Sequence, residues 1–404
     1  MMQPCVSAEP RSSKCEVKAE FQQFRRCWER IRRAMPTAFA VLWLMFPAIY
    51  ALSQESSWVG KQVVTKTGKG KVLDLDGTVL QAEDLLHPTT FRVLAENSGR
   101  IQVKSFDGVV GWMNKSDTLL HDEALKYFTE RIKENPDDAD AYAGRGRTRK
   151  WEDGGLDPAI ADFTEAIRLK PKDTTFYSIR AYHWSAKGDH DKANADYTEI
   201  IRINPKNVPA FIERGKSWSY EKKYDTAIAD FNEAIRLDPK KAYSYNLRAN
   251  TWYFKKDYAK AIADYTQAIT LNPKLVYLYN NRGSVYFRTK EYEKAMLDFD
   301  QAEKVDRDAA RTYVYRAELL ATCADAKYRD GKKAVEQAGK ALKRTSYADG
   351  TFYETMAAAL AETGDFANAI LWQEKALKRW PLQNDEGSRR RLEMYRKEQP
   401  YRQE

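Results

Sequence analysis

One pattern recurs at a fixed spacing of 34 residues, and it constrains the fold more than any other feature of this chain. Its clearest copies are AIADFTEAIRLKP, ANADYTEIIRINP, AIADFNEAIRLDP and AIADYTQAITLNP, which begin at Ala159, Ala193, Ala227 and Ala261. A unit of this length is a pair of helices that cannot bury its apolar face alone, so neighbouring copies must stack. The period therefore predicts a solenoid of helical pairs over residues 120–400.

Three positions of the repeat explain how each pair packs. A small residue in the first helix lets the leading alanine of the second approach, and an aromatic one turn later fills the gap beside them. A proline twelve residues after the alanine ends the second helix, because it cannot donate the next backbone hydrogen bond. The small residues are Gly146, Ala181, Gly215, Ala249, Gly283 and Ala317; the aromatics are Phe163, Tyr197, Phe231, Tyr265 and Phe299; the prolines are Pro171, Pro205, Pro239 and Pro273.

These positions match in register over five copies, and the sequence resembles the tetratricopeptide-repeat family through them. The resemblance covers residues 120–400 and implies a mainly α fold, a right-handed α-solenoid of about seven helical pairs with capping helices. Residues 121–136 are expected to cap its first end, and an arginine-rich helix near 386–397 its last. The sixth unit has five extra residues around 322–331, which should lengthen the turn inside that pair.

A charge pair also recurs with the repeat. The same carboxylate every 34 residues indicates a structural role rather than catalysis, so we expect most of these arginines to lie within about 4 Å of one of the aspartates. If these ion pairs are exposed, each contributes only about 0–1 kcal/mol to the free energy of unfolding. Whether the partner lies in the same or the neighbouring repeat stays open. The residues are Arg180, Arg214, Arg248, Arg282 and Arg316, with Asp162, Asp196, Asp230, Asp264 and Asp298.

The resemblance also implies a ligand groove, because in this family the ligand lies against the concave face formed by the first helices. Counting from the small residue, offsets of minus six, minus three, plus one, plus four and plus five should face it. In the fourth and fifth pairs these offsets hold mostly aromatics and amides, which suit an extended peptide. The predicted groove residues are Tyr243, Asn246, Asn250, Tyr253, Tyr277, Asn280, Asn281, Phe287, Arg288 and Arg311.

Two alternatives apply to this groove. Asn250, Asn281 and Arg311 match three positions of the clamp with which chaperone-binding relatives hold a peptide's terminal carboxylate. The other two positions hold Asn246 and Tyr315 where that clamp has cations, so carboxylate binding is not expected. The second alternative is that the asparagines only face solvent while the aromatics pack between repeats.

Residues 57–117 have a different texture, with short alternating strands around 61–64, 91–94, 100–103 and 109–112, punctuated by glycines. The segment resembles the Src-homology-3-type barrels of bacterial envelope proteins through its opening Trp58-Val59-Gly60 and its closing Gly111-Trp112. A small five-stranded β-barrel is therefore expected before the helices. Trp112 is interpreted as a core residue, with a groove for cell-wall peptide as the alternative.

The first 53 residues indicate export. A charge-free run over 35–52 follows the basic cluster Arg25, Arg26, Arg30, Arg32 and Arg33, which is the pattern of a signal peptide or of an uncleaved membrane anchor. Cleavage after Ser53 and retention as an anchor both stay open. We expect an extracytoplasmic protein that is periplasmic, secreted or anchored in the membrane.

The net charge of +9 does not indicate nucleic-acid binding. Residues 1–34 hold eight basic and four acidic side chains, so four of the nine excess charges sit in the leader and the rest are dispersed. Beyond residue 34 the chain has a single cysteine, Cys323, which excludes an internal disulfide there. No catalytic or phosphate-binding motif occurs, and no cofactor is expected.

The histidines carry one further alternative. His183 and His190, with Asp189 and Asp191, could suggest a metal site. His190 occupies a turn position that holds tyrosine in other copies, which favours packing, and no metal is predicted.

The sequence thus predicts a non-enzymatic scaffold or adaptor of the cell envelope that binds a protein or peptide ligand in its groove. The alternative is a structural envelope protein whose barrel engages cell-wall peptide while the repeats act as a spacer or oligomerisation unit.

Overall fold

The computed structural model describes residues 59, 61–65, 71–73, 79–82, 90–104, 110–149, 155–345, 348–379 and 381–403. The chain divides into two compact units. One contains the strands and the beginning of the first helix as far as Glu130, and the other begins at Arg131. The predicted leader and apolar run over 1–53 lie outside the described residues.

The first unit is a small antiparallel sheet of short strands. The described strands are β1 (Gln62–Thr65), β2 (Lys71–Leu73), β3 (Val79–Ala82), β4 (Thr90–Asn97), β5 (Arg100–Lys104), β6 (Val110–Asn114) and β7 (Thr118–Leu120). Their order in the sheet is β3-β2-β6-β5-β4-β1-β7, so β2 and β3, β4 and β5, and β5 and β6 are neighbours both along the chain and in the sheet. Seven strands are thus described where five were expected. Strands β1, β4, β5 and β6 lie where the sequence predicts strands, and the three that it did not locate, β2, β3 and β7, are only three or four residues long.

The core of the sheet is built by alternation along its strands. It consists of Val63, Phe91, Val93, Ile101, Val103 and Met113. Strand β6 places Met113 in this core and leaves Trp112, its neighbour, half-buried on the opposite face. The interpretation of Trp112 as a core residue is therefore wrong, because the side-chain period of two assigns that position to Met113.

The rest of the described chain is helical. The helices are α1 (His121–Glu134), α2 (Ala139–Arg149), α3 (Leu156–Leu169), α4 (Thr174–Ala186), α5 (His190–Ile203), α6 (Val208–Tyr220), α7 (Tyr224–Leu237), α8 (Ala242–Phe254), α9 (Tyr258–Leu271), α10 (Val276–Arg288), α11 (Tyr292–Val305), α12 (Ala310–Thr322), α13 (Gly331–Arg344), α14 (Gly350–Glu362), α15 (Phe366–Leu377) and α16 (Glu386–Arg396). Helices α2 to α15 pack as seven consecutive pairs, and each pair also packs on the next. The predicted solenoid is confirmed.

The repeat positions act as expected at the ends of the helices. The second helices of the first four pairs each end two residues before the predicted proline, at Leu169, Ile203, Leu237 and Leu271. In the sixth pair the extra residues form a short 3-10 turn, Ala326–Tyr328, between α12 and α13. The last helix, α16, lies within one residue of the predicted 386–397.

Small residues face aromatic residues inside each pair, as predicted. A Cβ added at Gly283 would lie 2.6 Å from the ring of Phe299, and one at Gly215 would lie 2.7 Å from Phe231. Ala159, Phe163, Ala249 and Tyr265 are likewise buried. Close approach of the two helices therefore depends on a small residue at this position.

The predicted ion pairs form in four of five cases, always between the two helices of one pair. The closest nitrogen–oxygen distances are 2.6 Å for Arg180–Asp196 and Arg214–Asp230, and 2.7 Å for Arg248–Asp264 and Arg282–Asp298. Asp162 pairs instead with Arg145 and Arg149. Arg316 contradicts the prediction, since it contacts Asp300 and Glu303, each at 2.5 Å.

The expectation that these pairs are exposed is wrong. Asp196 is 4% exposed and Asp298 is also 4% exposed. Burial raises the pKa of both carboxyl groups in spite of the arginine beside each one. Desolvation therefore offsets much of the attraction, and the pairs fix the register of the helices more than they stabilise them.

Candidate functional site

An open cleft lies on the face of the first helices, between the third and fourth pairs. Its volume is about 390 Å³. Positions at the predicted groove offsets line it from both sides: Lys216, Ser219 and Tyr220 on α6, and Asn250 and Phe254 on α8. The remaining lining residues are Lys222, Tyr224, Phe231, Leu247 and Thr251.

Two aromatic side chains stand at the rim of this cleft. Tyr220 is 78% exposed and Phe254 is 59% exposed, and each is the last residue of its helix. Exposed apolar surface that is grouped in one cleft and rimmed by polar residues is typical of interaction sites. Both rings also lie at the plus-five offset, where a groove ligand is expected.

Each rim aromatic is supported by the pair that precedes it. The ring of Phe254 stacks on that of Tyr224, with centroids 6.4 Å apart and planes 11° apart. The ring centroids of Tyr220 and His190 lie 4.9 Å apart. His190 therefore has the packing role expected of its turn position. No cluster of histidine, cysteine or acidic residues with the geometry of a metal site occurs in the part of the chain that the structure describes.

The charged side chains that line the cleft are two lysines. Lys216 lies on α6 and contacts Glu213 at 2.6 Å, whereas Lys222 is exposed in the turn that follows. Lys222 has a φ of 62°, which directs the chain sharply from α6 into α7. The cleft therefore combines an apolar, aromatic surface with positive charge.

The predicted asparagines lie on the same face, and their amides bond one another or neighbouring helices. Asn281 donates to the amide oxygen of Asn246 at 3.2 Å, across the fourth and fifth pairs. Asn280 is 3% exposed and donates to the hydroxyl of Thr312 at 3.0 Å. These bonds join successive pairs. Peptide binding by the three amides stays a prediction.

Asn250 differs because its amide oxygen accepts a hydrogen bond from the hydroxyl of Tyr265 at 2.5 Å. Burial raises the pKa of Tyr265, which keeps that hydroxyl protonated as the donor. The Asn250 side chain is only partly buried and also lines the cleft. Its amide nitrogen is the part of the group that a ligand could use.

The predicted aromatics of the fourth and fifth pairs divide by exposure. Tyr243 and Tyr277 are 38% and 39% exposed, and burial with the nearby Tyr243 raises the pKa of Tyr277. Tyr253 is partly buried and accepts a hydrogen bond from Nε of Arg288 at 3.1 Å. Phe287 is 7% exposed, so it packs in the core around Tyr292 and Phe299.

Arg311 lies at the first helix of the sixth pair and is held there. Its Nη2 donates to Asp349 at 2.7 Å and its Nη1 donates to Thr351 at 2.6 Å. Burial opposes ionisation of Asp349, but the hydrogen bonds from Thr351 and Arg311 outweigh it and lower the pKa of that carboxyl. The clamp positions Asn250, Asn281 and Arg311 thus each have a partner in the chain.

The cleft lies one pair before the fourth and fifth pairs, in which the sequence predicts the centre of the groove. Tyr220, Lys216 and Ser219 follow the same offset rule in the third pair, counted from Gly215. The missing signal was exposure, because the rule alone does not distinguish a buried Phe287 from an open Tyr220.

Models of two families match the chain within this helical unit. The tetratricopeptide-repeat model matches residues 210–241 and 276–308, and the TPR-repeat model matches residues 249–290. These segments contain most of the cleft and most of the predicted groove residues. No curated protein matches the sequence.

Several solved structures match this chain at low sequence identity, and yeast Tom70 supports a shared fold. Yeast Tom70 is 17% identical over 68% of this chain and 58% of its own length, with a TM-score of 0.51. A tetratricopeptide-repeat protein from Parabacteroides merdae is 21% identical, covering 61% and 93% of the two chains with a TM-score of 0.47. YrrB, a TPR protein with an unusual peptide-binding site, is 19% identical over 47% and 97%, with a TM-score of 0.39. The fold of the helical unit is that of tetratricopeptide solenoids, and tetratricopeptide repeats are matched at residues 210–241 and 249–308, as the period predicts.

Proposed function

We propose that this protein is a non-catalytic scaffold that binds an extended segment of a partner protein in the cleft between the third and fourth pairs. The observation that carries the proposal is the pair of exposed aromatics, Tyr220 and Phe254, at the rim of an open cleft. Aromatic anchors in a pocket supply most of the energy in protein interfaces. The predicted groove residues Asn250 and Tyr253 extend the surface toward the fifth pair.

The lining of the cleft defines the ligand that fits. Apolar surface from Leu247 and the aromatic rings suits an aliphatic or aromatic side chain of the partner. Lys222 favours an acidic residue beside it, because Glu213 already pairs with Lys216 and the lining residues include no carboxylate. The proposed ligand is an extended peptide with an apolar residue next to an aspartate or glutamate.

Selection of peptides against the full chain from a displayed random library tests this function. The selected peptides should share an apolar residue beside an acidic one. Replacing Tyr220 and Phe254 together by alanine should weaken the binding of a selected peptide by about tenfold or more. The matched control is Leu297→Ala, since Leu297 is 60% exposed but lies on a second helix. If the double variant and Leu297→Ala bound the peptide with equal affinity, the cleft would not be the binding site.

The place of action is a separate proposal, which rests on the basic cluster and apolar run before residue 53. We propose that the protein works outside the cytoplasm, in the cell envelope. A reporter that is active only in the cytoplasm, fused after Glu404, should be silent. A strong signal from this fusion would contradict the proposal.

The sheet supports a second candidate function. Its short antiparallel strands and the half-buried Trp112 on the face opposite the core suit an SH3-type barrel with a peptide-binding surface. Binding of isolated cell-wall peptides that is lost in Trp112→Ala, without any peptide binding by the helical unit, would favour a structural envelope protein over a scaffold.

A further inference from the structure

The residues that follow α16 turn back across the first helices of the last two pairs. The reversal occurs at Glu398, whose φ of 54° is unusual for a residue other than glycine. The tail segment, defined as residues 399–403, then runs to the end of α12. There the backbone N–H of Gln403 donates to the carbonyl of Thr322 at 2.8 Å, and Gln403 forms a parallel bridge with Cys323. The segment thus lies against the end of a first helix and is joined to it by a single bridge at Gln403.

Two side chains hold the tail segment in place. Arg402 lies with Nη2 2.6 Å from Oε2 of Glu362, and its Nη1 is 3.4 Å from the carbonyl oxygen of Ala321. The guanidinium of Arg391 lies 4.0 Å from the centre of the Tyr401 ring. An aromatic residue and an arginine, adjacent in sequence, therefore enter two separate subsites.

The receiving surface uses the positions at which a groove ligand is expected. Counted from Ala317, Ala321 and Thr322 lie at plus four and plus five. Counted from Ala357, the small residue of the seventh pair, Glu362 lies at plus five. The tail segment thus occupies the family's ligand-facing positions in the sixth and seventh pairs, as a bound peptide would.

The receiving surface carries three partly buried glutamates, so a segment that binds there must supply a positive charge. Glu318, Glu354 and Glu362 are only 12–18% exposed at their side chains. Arg391 lies 2.9 Å from Glu318 and 3.8 Å from Glu354. Arg329 contacts the first oxygen of Glu362 at 3.0 Å, which leaves the second oxygen to Arg402. If the tail segment leaves, this oxygen loses its cation, but the other two carboxylates keep theirs.

The tail segment is also suited to leaving. Gln399 is exposed and residues 400–403 are half-buried, whereas α16 anchors itself through the buried Leu392 and Tyr395. It contacts the first helices through the backbone hydrogen bond to Thr322, the hydrogen bond from Arg402 to Ala321 and the ion pair with Glu362, in addition to the packing of Tyr401. Its contacts from Gln399 to Met394 and from Tyr401 to Arg391 are with α16. A groove that stays charge-compensated except at one oxygen can exchange one cationic segment for another.

From these contacts we infer that the sixth and seventh pairs form a second peptide-binding groove, which the chain's own tail segment fills. Its ligand is an extended segment with an aromatic residue followed by an arginine. The ring packs on Arg391, the new guanidinium pairs with Glu362, and the backbone bonds to Thr322. Partner segments of this chemistry compete with the tail, so partner binding releases it. This groove differs in charge from the lysine-lined cleft and does not depend on it.

The test uses the full chain and a labelled peptide with the sequence of residues 399–404. Fluorescence anisotropy compares the unaltered protein with the double variant Tyr401→Ala/Arg402→Ala, whose tail segment lacks both anchors. A tethered segment acts as a competitor at an effective concentration in the millimolar range. The double variant should therefore bind the peptide about tenfold or more tighter than the unaltered protein. Adding Glu362→Gln to the double variant should reverse the gain.

A matched control and a stability measurement complete the test. Glu374 lies on α15, the second helix of the seventh pair, and forms an ion pair with Arg396 of α16. Glu374→Gln, added to the double variant, should leave peptide binding unchanged. Equal peptide binding by the unaltered protein and the double variant would overturn the inference. So would a double variant that fails to fold or that melts far below the unaltered protein, because the tail segment would then be a structural cap.

Discussion

Arg248 and Asp264 form a two-pronged ion pair that also reaches the neighbouring repeat. Nε and Nη2 of the arginine each donate to the carboxylate at 2.7 Å, and Nη1 donates to Asn232 of the preceding pair at 2.6 Å. Arg180, Arg214 and Arg282 repeat the arrangement, with Thr164, Thr198 and Thr266 in the place of the asparagine. One guanidinium thus fixes the two helices of its own pair and their position on the previous pair.

Replacing Arg248 by alanine should destabilise the solenoid strongly. Asp264 is 7% exposed, and its carboxylate would be left buried without a cation, which costs about 3 kcal/mol. Urea unfolding followed by circular dichroism measures the change. The control is Arg236→Ala, which removes an exposed pair with Glu233 and should cost less than about 0.5 kcal/mol. Similar losses in both variants would contradict a structural role for the buried pairs.

Gly283→Ala should destabilise the fifth pair, although alanine is ordinarily the better helix former. The added Cβ would lie 2.6 Å from the ring of Phe299, and overpacking of this kind costs about 1–3 kcal/mol. Gly339 is the matched control, because it lies inside α13 with open space around it. Gly339→Ala should stabilise by about 0.5–1 kcal/mol. Thermal melts that shift in the same direction for both variants would refute close helix packing at Gly283.

Asp349 makes stability depend on pH. Its pKa is lowered in the folded state, so its stabilising contribution is complete above the unfolded value, about 3.9, and is lost as the pH falls through the folded one. Asp349→Asn should therefore be less stable than the unaltered chain at pH 7, with a smaller difference at pH 3. Urea midpoints at the two pH values measure this. A difference that does not change with pH would show that Asp349 acts without its charge.

Replacing Asn246 and Asn280 by alanine should lower stability rather than peptide affinity. Both side chains are buried, and each bonds to the next pair through Asn281 or Thr312. A lost partner for a buried polar group costs about 1–3 kcal/mol. Unfolding experiments and peptide titration on the same variants separate the effects. Unchanged stability with weaker peptide binding would show instead that these amides contact the ligand.

Periodic features of the solenoid could be predicted from the sequence because each one has a single local cause. Pro205 cannot continue the helix that precedes it, and Gly215 beside Phe231 specifies a close crossing. The turns between paired helices could not be predicted in the same way. Gly188 adopts a positive φ, which glycine favours. Lys222 and Lys256 also adopt positive φ in the equivalent turns, although lysine in the sequence does not indicate such a turn.

The candidate site was predictable only in outline. The offset rule identified the face that contains Asn250 and Phe254. It could not show that Asn280 would bond to Thr312, because that contact joins helices 32 residues apart whose spacing depends on the whole stack. Arg316 shows the same limit, since it lies on the first helix of the sixth pair but contacts Asp300 and Glu303 of the fifth, where Asp298 already pairs with Arg282.

Site-specific photo-cross-linking in living cells tests the central claim most directly. A benzophenone amino acid replaces Phe254 or Tyr220 at the cleft, and Leu297 or Leu371 on the second helices as controls. Phe254 and Leu297 are 59% and 60% exposed, so chance encounters should label them equally. A binding cleft predicts discrete cross-linked products from Phe254 and Tyr220 that are absent from the two leucine positions. Equal labelling at all four positions, or products only from the leucines, would contradict it.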